Sequence, residues 1–105
     1  MPVWRKREAV KAGEGVWRRT LATGEKMMIV EFSFEAGAKI PTHSHPHEQV
    51  GYVVEGEIKL VVDGKEYTLE EGDSYLIPPN TEHSATTPVR AKVVDVFSPP
   101  REDYL

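Results

Sequence analysis

The chain has 105 residues, which is enough for one domain with a hydrophobic core and too few for two. It contains no cysteine, so disulfide bonds and a thiolate nucleophile are excluded. Thirteen basic and seventeen acidic residues give a formal net charge of −4, which argues against a nucleic-acid partner. No apolar run follows the basic first residues, so we expect no membrane anchor or signal peptide and predict a cytoplasmic protein.

The predicted elements are nearly all strands. Apolar residues alternate with polar ones and turn residues recur regularly, whereas no stretch shows helical spacing over several turns. In chain order, a loose N-terminal arm covers residues 1–12, and the predicted strands cover residues 15–22, 26–35, 49–55, 57–63, 65–70, 74–78, 82–87 and 89–97. The clearest turn is Asp63-Gly64, which favours a type I′ hairpin. The pattern is typical of an all-β sandwich or barrel.

The second predicted strand is apolar on both faces. Met27 and Ile29 point to one side, and the other side carries Met28, Val30, Phe32 and Phe34. A single domain of this size cannot readily bury both faces of a strand, so a second subunit is expected to cover the outer one. The sequence therefore predicts a homodimer.

Three of the four histidines lie in the segment "HSHPHEQ". Side chains at i and i+2 of an extended strand point the same way, so His43, His45 and Gln49 are expected on the inner face. This pair of imidazoles and a distant third, His83, favour a metal site over a solvent-exposed polar loop. His47 has the same parity but follows a proline, and a further ligand so close in sequence would crowd the ion, so we expect it outside the ligand set.

Two segments resemble the motifs of the cupin family. The segment that resembles the first motif is Gly37-x5-His43-x-His45-x3-Gln49-x6-Gly56. The segment that resembles the second motif is Gly72-x5-Pro78-x-Asn80-x2-His83-x3-Thr87. The resemblance implies a small double-stranded β-helix, or jelly-roll barrel, with a metal inside one open end. Residues 13–105 would then form a single cupin domain.

The chain departs from the family motifs at Gln49, where glutamate is usual, at Asn80, where glycine is usual, and at Thr87, where asparagine is usual. Asparagine tolerates the left-handed backbone conformation, so the change at residue 80 is mild. Three neutral imidazoles and an amide leave a divalent ion its full charge, which favours anionic ligands and Lewis-acid chemistry. We expect one divalent transition metal per chain, Ni, Zn, Mn or Fe, and chemistry without redox.

The last predicted strand places Asp95 and Phe97 on one face, and "SPPRED" then brings Arg101 into reach. An inward aspartate is costly unless it has a partner or a function. Its alternatives are a buried aspartate satisfied by hydrogen bonds, or an edge residue. Arg101 either clamps a carboxylate with its planar fork or pairs on the surface with Glu102 or Asp103.

The segments "HSHPHEQ" and "DVFSPPRED" together resemble the pectin-degradation cupins that open the ring of 4,5-unsaturated uronates. The resemblance implies metal ligation by His43, His45, Gln49 and His83, and a sugar site lined by Asp95, Phe97 and Arg101. The implied substrate is a small anionic sugar, and the implied product is its linear ketonised form. Two alternatives stay open, a metal-dependent dioxygenase and a non-catalytic module that binds a sugar or a small acid.

Overall fold

The computed structural model describes residues 2–105, which form ten strands and one short 3₁₀ turn. The strands are β1 Val10–Gly13, β2 Val16–Thr23, β3 Met28–Phe34, β4 Ala38–His43, β5 Glu48–Glu55, β6 Glu57–Val62, β7 Lys65–Glu70, β8 Ser74–Ile77, β9 His83–Thr87 and β10 Ala91–Ser98. The 3₁₀ turn, Glu102–Tyr104, follows the last strand. The all-β prediction is confirmed.

The strands form two antiparallel sheets. One has six strands in the order β1-β2-β3-β10-β5-β8, and the other has four in the order β4-β9-β6-β7. Each sheet has neighbours that are distant in sequence, such as β3 beside β10 and β4 beside β9. This topology brings the histidines of β4 and β9 together and sets β10 in the middle of the larger sheet.

The core lies between the inner faces of the two sheets. Along β3, every second residue from Met28 to Phe34 is buried, and β10 alternates in the same way. The inner face of β10 is apolar at Val93 and Phe97 but carries the charged side chain of Asp95 between them. Asp95 therefore places a polar group in the core among otherwise apolar side chains of the same strand face.

Two strands were not predicted, β1 and β4. The four residues of β1 are all exposed and too few for their alternation to indicate a strand, and part of the predicted loose arm is in fact paired with β2. Strand β4 contains Pro41, which lowers the propensity for a strand. The strand forms nonetheless because β4 is at the edge of its sheet, where one side of the backbone needs no partner.

The predicted turn chemistry is confirmed. Asp63 and Gly64 both have positive φ, at 50° and 79°, as a type I′ turn requires, and they join β6 to β7. Asn80 also has a positive φ, 59°, so it takes the left-handed conformation for which the family motif uses glycine. The departure at residue 80 thus leaves the backbone conformation available.

The outer face of the six-stranded sheet carries an exposed apolar patch at one edge. It consists of Val50, Tyr52 and Val54 on β5 and Leu76 on β8. Val50 and Leu76 are direct partners across the two strands, so the patch is continuous. The homodimer, predicted from the outer face of the strand at residues 26–35, stays a prediction, and the patch on β5 and β8 is a further surface that a second subunit could cover. Across residues 2–105, none of the helical structure has the length and hydropathy needed to cross a membrane.

Candidate metal centre and its pocket

Three histidines meet inside the barrel. His43 ends β4 and is the direct cross-strand partner of His83 on β9, and His45 lies in the loop after β4. Ring centroids are 4.2 Å apart for His43 and His83, and 4.9 Å apart for His45 and His83. One ring nitrogen from each of the three lies within 4.8 Å of the other two, close enough to hold one metal ion. His47 is outside this cluster.

Each of the three rings is oriented by a backbone carbonyl two residues away. The Nδ1 hydrogens of His43, His45 and His83 are donated to the carbonyl oxygens of Pro41, His47 and Thr81, at 2.9, 3.2 and 2.8 Å. A neutral imidazole that donates from Nδ1 presents a lone pair at Nε2. The three Nε2 atoms are therefore the ones available to a metal ion, and their rings are fixed before it binds.

Gln49 completes a site that fits a cation. Its Oε1 atom faces Nε2 of His45 at 3.1 Å. Because His45 already donates from Nδ1, neutral His45 has no hydrogen on Nε2, and two lone pairs face each other. A metal ion bound by both atoms would relieve this contact. A proton would not do so readily, because burial lowers the pKa of His45 to about 4, and the positive charges of Arg101 and the other two histidines act in the same direction. Three imidazoles and an amide oxygen are suitable ligands for a divalent transition metal.

The loop that carries His45 is tied to the loop before β9. The backbone N–H of Asn80 donates to the carbonyl oxygen of His45, at 2.8 Å. The left-handed conformation of Asn80 is therefore part of the structure that joins the first histidine segment to the second. Burial also lowers the pKa of His83, which keeps this imidazole neutral and able to act as a ligand.

The histidine cluster opens into a partly enclosed pocket with a cavity volume of about 70 Å³. The pocket is lined by His43, Gln49 and His83, and also by Asp95, Phe97, Arg101, Tyr75 and Tyr104. The site residues predicted from the sequence, apart from His45, thus line one cavity, and His45 adjoins it through the histidine cluster.

Asp95 is the buried acid of this pocket. It is 2 % exposed, and its Oδ1 atom accepts a hydrogen bond from the Tyr75 hydroxyl at 2.6 Å. Burial raises the pKa of Asp95 to about 6, and hydrogen bonds from Tyr75 and Gln49 act in the opposite direction. The carboxyl group is thus satisfied by hydrogen bonds and also poised between its two protonation states near neutral pH.

Phe97 and Arg101 lie beside the histidines. Phe97 is 1 % exposed and contacts the ring of His45 edge-on, with centroids 5.8 Å apart. The guanidinium group of Arg101 lies over the rings of Phe97 and Tyr104, at 5.3 and 4.2 Å. It also pairs with Asp103 at 3.2 Å, so the surface salt bridge considered from the sequence is present. Arg101 combines this pairing with a place in the pocket wall.

Two pocket residues were missed by the sequence reasoning. Tyr75 belongs to a predicted strand, and its two-residue spacing from the apolar Ile77 was the signal that could have placed it inside. Tyr104 lies in the C-terminal 3₁₀ turn, where no periodicity exists to indicate burial. Its ring contacts those of Phe32 and Phe97, and this packing holds the C-terminal turn against the pocket.

Fold and site together define a class of protein, a small antiparallel barrel with a histidine cluster for a metal inside it. Residues 30–97 match the model of the cupin domain, so the chain belongs to the cupin family. The predicted jelly-roll fold is thereby confirmed.

The chain has relatives among cupins of known name. It is 33% identical to the pectin degradation protein KdgF of Dickeya dadantii over 95 residues, covering 89% of this chain and 86% of the relative. It is 32% identical to L-ectoine synthase of Wolinella succinogenes, covering 84% of this chain and 70% of that enzyme. The structure of KdgF from a Halomonas species superposes with a TM-score of 0.94 at 30% identity, covering 100% of this chain and 99% of the other. The predicted similarity to pectin-degradation cupins is confirmed.

Proposed function

We propose that this cupin is a metal-dependent enzyme that opens the ring of 4,5-unsaturated uronates, the sugars released by lyases from pectin or alginate. The observation that carries the proposal is the placement of a buried acid, Asp95, and a cation, Arg101, in the same pocket as the histidine cluster. The relationship to KdgF proteins, whose name refers to pectin degradation, supports the choice of substrate class.

The ligands proposed for the metal are Nε2 of His43, His45 and His83 and Oε1 of Gln49. A divalent ion bound there would supply Lewis-acid polarisation of a sugar oxygen. Its donors are all neutral, so the ion would keep its full positive charge and favour an anionic substrate. Arg101 is proposed to bind the uronate carboxylate, because its planar fork matches the two carboxylate oxygens. Phe97 is proposed to pack against the sugar ring.

Asp95 is proposed to move the protons of the reaction. As a base it takes the proton from the C1 hydroxyl of the cyclic hemiacetal, and the C1–O5 bond breaks with its electron pair going to O5. This gives an aldehyde at C1 and an enolate at C5, and delivery of the same proton from Asp95 to C4 converts the enolate to a ketone. The product is an isomer of the substrate, so no oxidant or other reactant is needed. A group with a pKa of about 6 can both accept and return a proton near neutral pH.

The experiment follows the loss of ultraviolet absorbance of the C4–C5 double bond, with the parent protein and two aspartate variants. Asp95→Asn keeps the shape of the side chain but cannot transfer the proton, so we expect turnover to fall by about 100-fold or more. Asp63→Asn makes the same chemical change in the exposed β6–β7 turn, where asparagine also suits the backbone, and should leave turnover unchanged. Full activity in Asp95→Asn would reject the proposed role.

A further inference from the structure

Asp95, Gly51 and Tyr75 form a row across three neighbouring strands. Gly51 on β5 is the cross-strand partner of Asp95 on one side and of Tyr75 on β8 on the other. Side chains in such a row normally fill the space above their own strand. Here the middle residue has no side chain, and the Tyr75 hydroxyl crosses over β5 to reach Oδ1 of Asp95 at 2.6 Å.

Glycine at residue 51 is required by space. A Cβ atom built there would overlap the Tyr75 ring, the Tyr75 hydroxyl and Oδ1 of Asp95. The φ angle of Gly51 is not positive, so its backbone conformation does not itself require glycine. The gap in the middle strand therefore serves the contact between the two side chains, which lie two strands apart in the sheet.

We infer that Tyr75 is a positioning residue that holds the Asp95 carboxylate in its working orientation, through the gap left by Gly51. The inference rests on the function proposed above. The Tyr75 hydroxyl donates to Oδ1 and thereby fixes the orientation of the carboxylate. Both side chains line the pocket of the histidine cluster, so loss of this hydrogen bond would change the orientation of Asp95 at the proposed reaction site. Tyr75 itself is assigned no proton transfer.

A double-mutant cycle tests the coupling. Tyr75→Phe removes only the hydroxyl, and we expect kcat on an unsaturated uronate to fall by about 10- to 100-fold, the scale on which small misplacements act. The KM should be unchanged, because the orientation of Asp95 matters in the transition state and not for binding. In the Asp95→Asn background the same substitution should change kcat by less than about twofold, because the group that it positions no longer works.

The control is Tyr52→Phe, the same chemical change on the outer face of β5 next to Gly51, where the side chain is exposed. It should leave kcat and KM at the parent values. Gly51→Ala is a second test, because it pushes Tyr75 and Asp95 apart without removing either. We expect it to lower kcat by about tenfold or more while the three histidines still bind metal. Circular dichroism and metal analysis confirm that each variant is folded and loaded.

The outcomes separate the inference from the proposed function. An active parent whose Tyr75→Phe variant keeps full kcat would overturn the inference and leave the function intact. So would an equal loss in the parent and Asp95→Asn backgrounds, since independent effects add. Full kcat in a folded Gly51→Ala variant would have the same meaning. A parent that is inactive on every unsaturated uronate would remove the proposed function, and the inference with it.

Discussion

His83 and His47 are both near the candidate metal centre, but only His83 has a ring nitrogen in the cluster. Loss of a residue that only hydrogen-bonds to a metal ligand typically lowers metal affinity by roughly 10- to 100-fold. Because His83 is itself a proposed ligand, we expect His83→Ala to lower the affinity by more than this. His47→Ala should leave occupancy nearly intact. Metal analysis of the purified variants measures both. Full occupancy in His83→Ala, or its loss in His47→Ala, would show that the ligand set is different.

Gln49 is surrounded by groups that suit an amide. Its oxygen faces His45, and hydrogen bonding by its side chain acts to lower the pKa of Asp95, against the effect of burial. Gln49→Glu would replace this amide by a second carboxylate beside a buried acid, and would reduce the positive charge of a bound ion.

We therefore expect Gln49→Glu to retain metal and to bind the uronate more weakly, measured as a higher KM. Glu48→Gln is the control, because Glu48 is exposed and points to the other face of β5. Unchanged or tighter uronate binding by Gln49→Glu would contradict this account of the amide.

At the scale of elements, the C-terminal turn depends on contacts with distant strands. The Thr20 hydroxyl on β2 donates to the carbonyl oxygen of Tyr104 at 2.8 Å, and the backbone N–H of Arg101 points to the sulfur of Met28 at 3.1 Å. The ring of Tyr104 lies under the guanidinium groups of both Arg18 and Arg101, each at 4.2 Å. These contacts hold Arg101 at the pocket.

If the turn serves to place Arg101, removing its aromatic support should resemble removing the arginine. We expect Arg101→Ala to raise the KM for the uronate more than it lowers kcat, because carboxylate binding is shared by ground and transition states. Tyr104→Ala should shift the same parameter in the same direction, by a smaller factor. Steady-state kinetics measure both. A Tyr104→Ala variant that lowers kcat at an unchanged KM would contradict this role.

Several elements of the fold and site could be predicted from the sequence. Alternation identified most strands, and the two-residue spacing of His43 and His45 predicted that both point inwards, although His45 lies in the loop after β4 and not on the strand. That His83 joins this pair was predicted from the combination of an H-x-H pair with a distant histidine and from the family resemblance, because strand pairing between distant segments has no local signal. The contact of Tyr75 with Asp95 was not predictable, since it depends on the order of three strands and on a missing side chain between them.

At the scale of the whole molecule, burial links the site to stability. In the metal-free protein, the pKa of His45 is lowered from 6.5 to about 4. Between these pH values the imidazole is therefore protonated in the unfolded chain and neutral in the folded chain. The free energy of unfolding therefore falls as the pH drops from 6.5 towards 4. Asp95 acts oppositely, because its pKa is raised from 3.8 to about 6 and the folded chain holds the proton first as the pH falls.

The two effects should partly cancel between pH 6 and 4 in the parent. Asp95→Asn removes the opposing contribution, so we expect the metal-free variant to lose stability more steeply than the parent as the pH falls through this range. Urea unfolding at a series of pH values, after treatment with a chelator, measures the slope. Equal slopes for parent and variant would contradict the assignment.

The exposed apolar patch on β5 and β8 is a candidate contact for the predicted homodimer, in addition to the outer face of the strand at residues 26–35 on which that prediction was based. Leu76→Arg places a charge at its centre, opposite Val50, and we expect it to shift the protein towards the monomer. Sedimentation equilibrium of parent and variant measures the change. Lys59→Glu, on an exposed position of the other sheet, is the control and should not alter the association. A monomeric parent would remove the dimer prediction.

The most direct test of the proposed function compares the purified protein with its chelated form on an unsaturated uronate. We expect the purified protein to speed the loss of ultraviolet absorbance above the spontaneous rate, without oxygen consumption, and the chelated protein to lose this effect until a divalent metal is restored. Tight binding of the uronate with no acceleration would contradict the account and indicate a binding module. Oxygen uptake coupled to turnover would instead indicate a dioxygenase.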